Sequence, residues 1–139
     1  GQQTVSHMIA AGKTVQGARV LVLGLTYKEN VPDTRNTLTR YVIEELLAKG
    51  VEVAAHDPLV DLEELAGNMN VTAMKRNLPA SAEFDALVLA VPHRAYLERS
   101  TEDYMRLLQR SPGSAVVIDV KGALNRDEFE AAGALHWEL

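Results

Sequence analysis

The sequence predicts a Rossmann-like, doubly wound α/β fold: a mainly parallel sheet with helices on both faces. Three observations predict it. Apolar strand segments fall at 18–23, 51–55, 85–91 and 115–120, and the runs within the first and third are continuous rather than alternating, as in strands covered on both sides. Segments with helical periodicity and capping signals separate them. Regular alternation of strand and helix implies right-handed crossovers and so parallel neighbours. Ligands of such sheets bind beyond the carboxyl ends of the strands. Those ends fall at 24–35, 56–58, 92–94 and 119–122.

Taken in order, residues 1–12 read as the tail of a helix, with Val5, Met8 and Ile9 on one face and Gly12 as the cap. No start signal precedes it, so the chain is expected to begin inside a longer helix. Residues 13–17 are a polar connector. A strand at 18–23 breaks at Gly24. Asp33 or Thr34 caps the next helix, which buries Leu38, Val42, Ile43, Leu46 and Leu47 and stops at Gly50. The second strand, 51–55, ends at His56-Asp57-Pro58. Asp61-Leu62-Glu63-Glu64 is a capping box for a short helix closed by Gly67. Residues 71–74 form a short strand and 77–82 a connector. The strand at 85–91 leads into Pro92-His93-Arg94. A helix spans 101–110, with acids in its first turn and Tyr104, Leu107 and Leu108 facing inward. Residues 111–114 turn into the strand at 115–120. Asn125-Arg126-Asp127-Glu128 caps a helix reaching Ala132, and 134–137 is a final short strand.

The 139 residues suffice for one domain with one core. Hydrophobic content of 47% and charged content of 24% are ordinary for a globular domain. A net charge of −5 argues against non-specific nucleic-acid binding. No apolar run is long enough to span a bilayer, and the first residues do not read as a signal peptide. Without cysteine the chain has no disulfide, thiolate metal site or cysteine nucleophile, which fits a cytoplasmic protein. The four histidines lack metal-ligand spacing.

The stretch 24–35 holds the strongest site signal: a strand end, a turn, a helix start and two cations, suited to a phosphate-bearing ligand. It lacks Gly-x-Gly-x-x-Gly and the Walker pattern, so a self-sufficient NAD or ATP site is not expected there. Lys28 either contacts a phosphate or sugar oxygen or is a solvated lysine. Arg35 grips a pyrophosphate or pairs on the surface with Asp33. Asp57 follows the second strand, but lies farther from Gly24 than the about 20 residues usual for a ribose-binding acid, so an Asp-Pro turn is the preferred reading. His93 is read as a loop histidine with a structural hydrogen bond rather than a base. Lys121 either reaches a ligand at the sheet edge or is solvated.

Gly24-Leu25-Thr26-Tyr27-Lys28-Glu29-Asn30-Val31-Pro32-Asp33-Thr34-Arg35-Asn36 resembles the UDP-binding domain of the UDP-glucose/GDP-mannose dehydrogenase family. The shared pattern is a glycine, an aromatic-lysine pair and Asp-x-Arg, with Thr37 where a serine is usual. The strand ending in Asp57-Pro58 and the strand ending in Asp119-Val120-Lys121 extend the likeness along the chain. The wording of this stretch, with Val91-Pro92-His93-Arg94, is closer to the branch acting on UDP-N-acetylhexosamines. The resemblance implies that 1–17 end an interdomain helix and its connector, and that 18–139 are a UDP-binding domain. It implies that Tyr27, Lys28 and Lys121 contact a UDP-sugar, and that Arg35 reaches an NAD held mainly by another domain. Lys121 stands where an arginine is frequent, so the charge is kept but the fork is not.

The family oxidises a sugar C6 alcohol to a carboxylate for polysaccharide biosynthesis, through a cysteine nucleophile and NAD. Neither the cysteine nor the NAD fingerprint is in this sequence, so the isolated chain is expected to be inactive. The full-length protein is expected to be a homo-oligomer. Two rivals remain: a stand-alone Rossmann-type nucleotide-binding or regulatory domain, and a small enzyme using His93 and Asp57 as acid and base.

Overall fold

The computed structural model describes residues 6, 9–10, 12–26, 30, 39–60, 62, 70–75, 77–108 and 115–138. Within them, β1 (Arg19–Leu23), β2 (Glu52–His56), β3 (Thr72–Ala73), β4 (Ala86–Leu89), β5 (Val116–Asp119) and β6 (Leu135–Glu138) form one sheet. Its order is β3-β2-β1-β4-β5-β6, and every neighbouring pair is parallel. The helices α1 (Thr39–Ala48), α2 (Arg94–Leu97), α3 (Thr101–Met105) and α4 (Arg126–Ala131) accompany it, and Ser6, Ile9 and Ala10 are also helical. The expected doubly wound parallel sheet is the architecture observed.

The continuous apolar runs explain the two layers. Side chains alternate across a strand. Val20 and Val22 of β1 therefore pack on the face covered by Ile43 and Leu46 of α1. Leu21 and Leu23 pack on the opposite face with Tyr96, Tyr104 and Phe129 of α2, α3 and α4. These four β1 side chains are fully buried, and each such burial contributes about 1.5–3 kcal/mol. One amphipathic face would not have held this strand at the centre of the sheet. α1 ends where expected: the Val51 amide returns to the Leu46 carbonyl at 3.1 Å across Gly50.

Several expectations change. The helix expected over 101–110 is helical only to Met105. The carbonyls of Arg106 and Leu107 instead accept the amides of Ala82 (3.0 Å) and Phe84 (2.9 Å). Partners for the strand-entry backbone outweigh another helical turn. The short helix α2 was not expected; His93 is its N-cap but gives it no side-chain bond, because the ring is engaged elsewhere. Lys13, expected in a polar connector, is buried, with Nζ 3.2 Å from Asp85 Oδ1. Asp85 Oδ2 accepts the Arg19 amide at 2.9 Å, so the pair fastens the connector to the start of the sheet. Ile9 is exposed. The expected caps Asp33 and Thr34, the helix-face residues Val5 and Met8, the buried position Leu38, the helix at 61–67 apart from the buried Leu62, and the turn at 111–114 lie outside the described residues.

Two tyrosines carry hydrogen bonds through the second layer. Tyr96 donates its hydroxyl to the His56 carbonyl at 2.8 Å. Having spent its one proton there, it accepts from His56 Nδ1 at 2.7 Å. Tyr104 donates to the Tyr96 carbonyl. Burial pushes both phenols well above their ordinary pKa, and the negative charge of Asp57 adds to the rise at Tyr96. The folded state therefore holds these protons where the unfolded chain, with tyrosines near 10, releases them. This contribution is complete below about pH 10 and is lost as pH rises beyond it. Thermal unfolding followed from pH 8 to 11 is expected to show a falling midpoint above about pH 10, and a smaller fall in Tyr96→Phe.

Candidate functional site

Strand order reverses between β1 and β4: β1 leads towards β2 on one side and β4 towards β5 on the other. This is the topological switch point, where a crevice opens beyond the carboxyl ends. Gly24 begins the loop after β1. Its φ is +94°, and a Cβ built there would lie 2.7 Å from Val91 Cβ, 2.7 Å from Val91 O and 2.8 Å from Val91 N. The ends of β1 and β4 meet at a distance only glycine permits.

Three strand ends converge beside that contact. Asp57, after β2, accepts the Leu25 amide on Oδ2 at 2.7 Å and the Leu59 amide on Oδ1 at 2.8 Å. His93, after β4, places Nε2 2.9 Å from Asp57 Oδ2 and 3.2 Å from Thr26 Oγ1. Its Nδ1 accepts the Asn30 amide at 2.9 Å. An accepting Nδ1 bears no proton, so the ring is the neutral Nε2–H tautomer and Asp57 is its acceptor. Asn30 sits at φ +63°, a conformation asparagine tolerates better than most residues. Its Oδ1 accepts the Arg94 amide at 2.9 Å. Thr26, Asp57 and His93 are all buried.

This geometry decides between the readings of His93 and Asp57. In a catalytic triad the base nitrogen faces the nucleophile while the other nitrogen faces the acid. Here Thr26 and Asp57 share Nε2, and Nδ1 is occupied by a backbone amide. The structural reading of His93 holds, and the acid–base enzyme loses its machinery. Both oxygens of Asp57 are likewise committed, so it is the turn residue rather than a ribose ligand. With Gly24 closed on Val91 and Asp57 spent, these residues do not fit a complete NAD site at this crevice. Among the described residues, no group of three or more His, Cys, Asp or Glu is placed to hold a metal.

Of the site residues expected from sequence, Tyr27, Lys28 and Arg35 lie outside the described residues. Lys121 is described: it is exposed, on the turn following β5 at the same carboxyl edge. Asp119 builds that turn by accepting the Ala123 amide (3.0 Å) and the Leu124 amide (2.7 Å). Its strand neighbours β4 rather than β1, one strand away from the Gly24 loop. Thr26 and Asn30 went unnoticed in the sequence. Asn30, a residue tolerant of left-handed backbone six positions beyond Gly24, was the signal available.

A parallel sheet of this order, with its polar residues gathered at the switch point, defines a Rossmann-type nucleotide-binding domain. Residues 21–126 match the UDP-glucose/GDP-mannose dehydrogenase family, UDP binding domain, and the chain belongs to that family. It is 36% identical over 135 residues to Protein CapL of Staphylococcus aureus, covering 97% of this chain and 30% of CapL. It is 32% identical over 128 residues to UDP-N-acetyl-D-glucosamine 6-dehydrogenase of Pseudomonas aeruginosa, covering 92% of this chain and 29% of that enzyme. Among solved structures, NDP-N-acetyl-D-galactosaminuronic acid dehydrogenase of Methanosarcina mazei Go1 superposes with a TM-score of 0.80 at 25% identity, over 99% of this chain and 27% of that one. The chain thus spans less than a third of these relatives. Among the described residues no helix is long and apolar enough to cross a membrane.

Proposed function

We propose that this chain is the nucleotide-sugar-binding domain of an NAD-dependent UDP-sugar 6-dehydrogenase, acting on a UDP-N-acetylhexosamine in the cytoplasm to supply uronate for polysaccharide biosynthesis. One observation carries the reading: the family match over 21–126 includes Tyr27, Lys28, Arg35 and Lys121 together. The names of the Pseudomonas enzyme and the Methanosarcina neighbour support the N-acetylhexosamine branch. Tyr27 packs against the nucleotide sugar, and Lys28 and Lys121 supply charge to it. Arg35 reaches towards NAD, which another domain of the same protein holds. This domain's contribution is binding and orientation, presenting C6 to groups it does not contain. The whole protein works as a homo-oligomer.

The test starts from the coding sequence upstream of Gly1, expected to hold a cysteine nucleophile and Gly-x-Gly-x-x-Gly. The encoded protein is then given NAD with UDP-N-acetylglucosamine or UDP-glucose, and NADH absorbance is followed. Turnover is expected with the N-acetylated sugar, and none from residues 1–139 alone. Oxidation by the isolated chain, or an upstream sequence without the cysteine, would refute the proposal. A preference for UDP-glucose would overturn the branch.

A further inference from the structure

We propose that the cavity between α3 and α4 binds a small sugar acid, its carboxylate on Arg99 and a hydroxyl on Glu128. The cavity holds about 260 Å³, and its lining includes Leu97, Arg99, Ser100, Leu124, Asn125 and Glu128. Thr26, Asp57, His93 and Lys121 line no part of it, so the inference stands apart from the substrate reading above. Ligand pockets commonly run from about 300 to 1,000 Å³. This one lies just below that range, which suits a single monosaccharide and not a nucleotide sugar.

The polar groups around it have hydrogen-bonding capacity left over. Arg40, Arg106 and Arg126 each pair with an acid one helical turn away. Arg99 has no such partner among the described residues, and its Nε is buried without an acceptor. Its guanidinium carbon lies 5.2 Å from the Tyr104 ring centroid. The head is therefore held by the ring and not by an ion pair, and can turn an N–H edge to a ligand. Ser100 Oγ accepts the Asp103 amide at 3.1 Å, and Asn125 Oδ1 accepts the Glu128 amide at 3.1 Å. Each cap commits its oxygen to its own helix, which leaves the Ser100 hydroxyl proton and the Asn125 NH2 group as donors. Glu128 Oε2 accepts the Thr101 hydroxyl at 3.1 Å, which leaves Oε1 as an acceptor.

This inventory selects the ligand. A carboxylate matches the donors, because its two oxygens fit the guanidinium fork in charge-assisted bonds. Glu128 discriminates against a bare anion, since a like charge offsets the pull of Arg99 unless the ligand also donates a hydrogen bond. A hydroxyl supplies that donor. Leu97 is 48% exposed and Leu124 half-buried, so both offer apolar contact to the C–H face of a sugar ring. The wall at 123–124 is fixed beforehand, because Asp119 accepts both amides.

The probe is glucuronate, offered to the full-length protein with and without saturating UDP, with binding read by saturation-transfer NMR. Transfer to the glucuronate ring protons is expected at the same Kd in both cases. Glucose, acetate and inorganic phosphate should each bind at least about tenfold more weakly. Asn125→Asp keeps the helix cap but replaces a donor with a second negative charge, and should weaken glucuronate about tenfold. Arg99→Gln should cost as much, and Arg99→Lys, which keeps the charge without the fork, less. Circular dichroism checks the fold of each variant. Absence of transfer to glucuronate would overturn the proposal. Equal binding of acetate or phosphate would overturn the sugar-acid assignment. Loss of binding on adding UDP would put the sugar acid in the nucleotide-sugar crevice instead. Full affinity in folded Asn125→Asp and Arg99→Gln would remove this cavity as the site. All of these outcomes can be read whether or not the protein oxidises a UDP-sugar.

Discussion

Gly24→Ala is expected to lower the unfolding midpoint of this domain by roughly 10 °C. Two costs add. The backbone at φ +94° is strained for any residue with a Cβ, at about 1–2 kcal/mol. The new methyl also lies under 3 Å from three atoms of Val91, two of them backbone. Val91 cannot step aside freely, because Ala90 returns its amide to Leu23 O at 2.9 Å and β4 is paired on both sides. Overlap of that kind costs on the order of 1–3 kcal/mol. Gly17→Ala separates the two terms: φ is +82° but nothing lies within 4 Å of the added carbon. It should cost only the strain, about 1 kcal/mol. Thermal melts of both variants measure the difference. Equal losses would show that the β1–β4 contact yields and that backbone strain alone is at work.

What could be read from sequence, and what could not, follows from the range of the interactions. β1 was legible because four consecutive apolar residues report burial on both faces without reference to any partner. Asn125 was legible because its cap is local: it accepts the Glu128 amide at 3.1 Å, three residues on. The end of α3 was not, since it depends on the distant backbone of residues 82–84. Lys13 looked like a surface lysine until the sheet brought Asp85 to it. The site divides in the same way. Tyr27, Lys28 and Arg35 stand in one contiguous stretch and were found as a pattern. Asp57 and His93 were each noticed at a strand end, but their pairing requires β2, β1 and β4 to be neighbours. Alternation of strands and helices predicts parallel pairing without giving that order. The tautomer of His93 was further out of reach, because it is set by the Asn30 amide.

Asp57→Ala is the other substitution expected to have a large effect, about 4 kcal/mol or a midpoint lower by roughly 10–15 °C. It strips the acceptor from three donors at once: the Leu25 amide, the Leu59 amide and His93 Nε2–H. Leaving a buried donor unsatisfied costs about 1–3 kcal/mol, more than the net value of the bond when made. The three losses are unequal. Leu25 and His93 are buried, whereas Leu59 is 38% exposed and water can reach its backbone. Asp57→Asn therefore discriminates. Its carbonyl can take the Oδ2 position, serving Leu25 and His93, while its amide group faces Leu59. The expected loss is about 1 kcal/mol, the lost bond at the wettest donor. Denaturant titration of the two variants decides the question. If Asn costs as much as Ala, the carboxylate matters for its charge. If Asn is mild and Ala severe, Asp57 acts as a hydrogen-bond acceptor that sets the His93 ring, and through the ring the Asn30 amide.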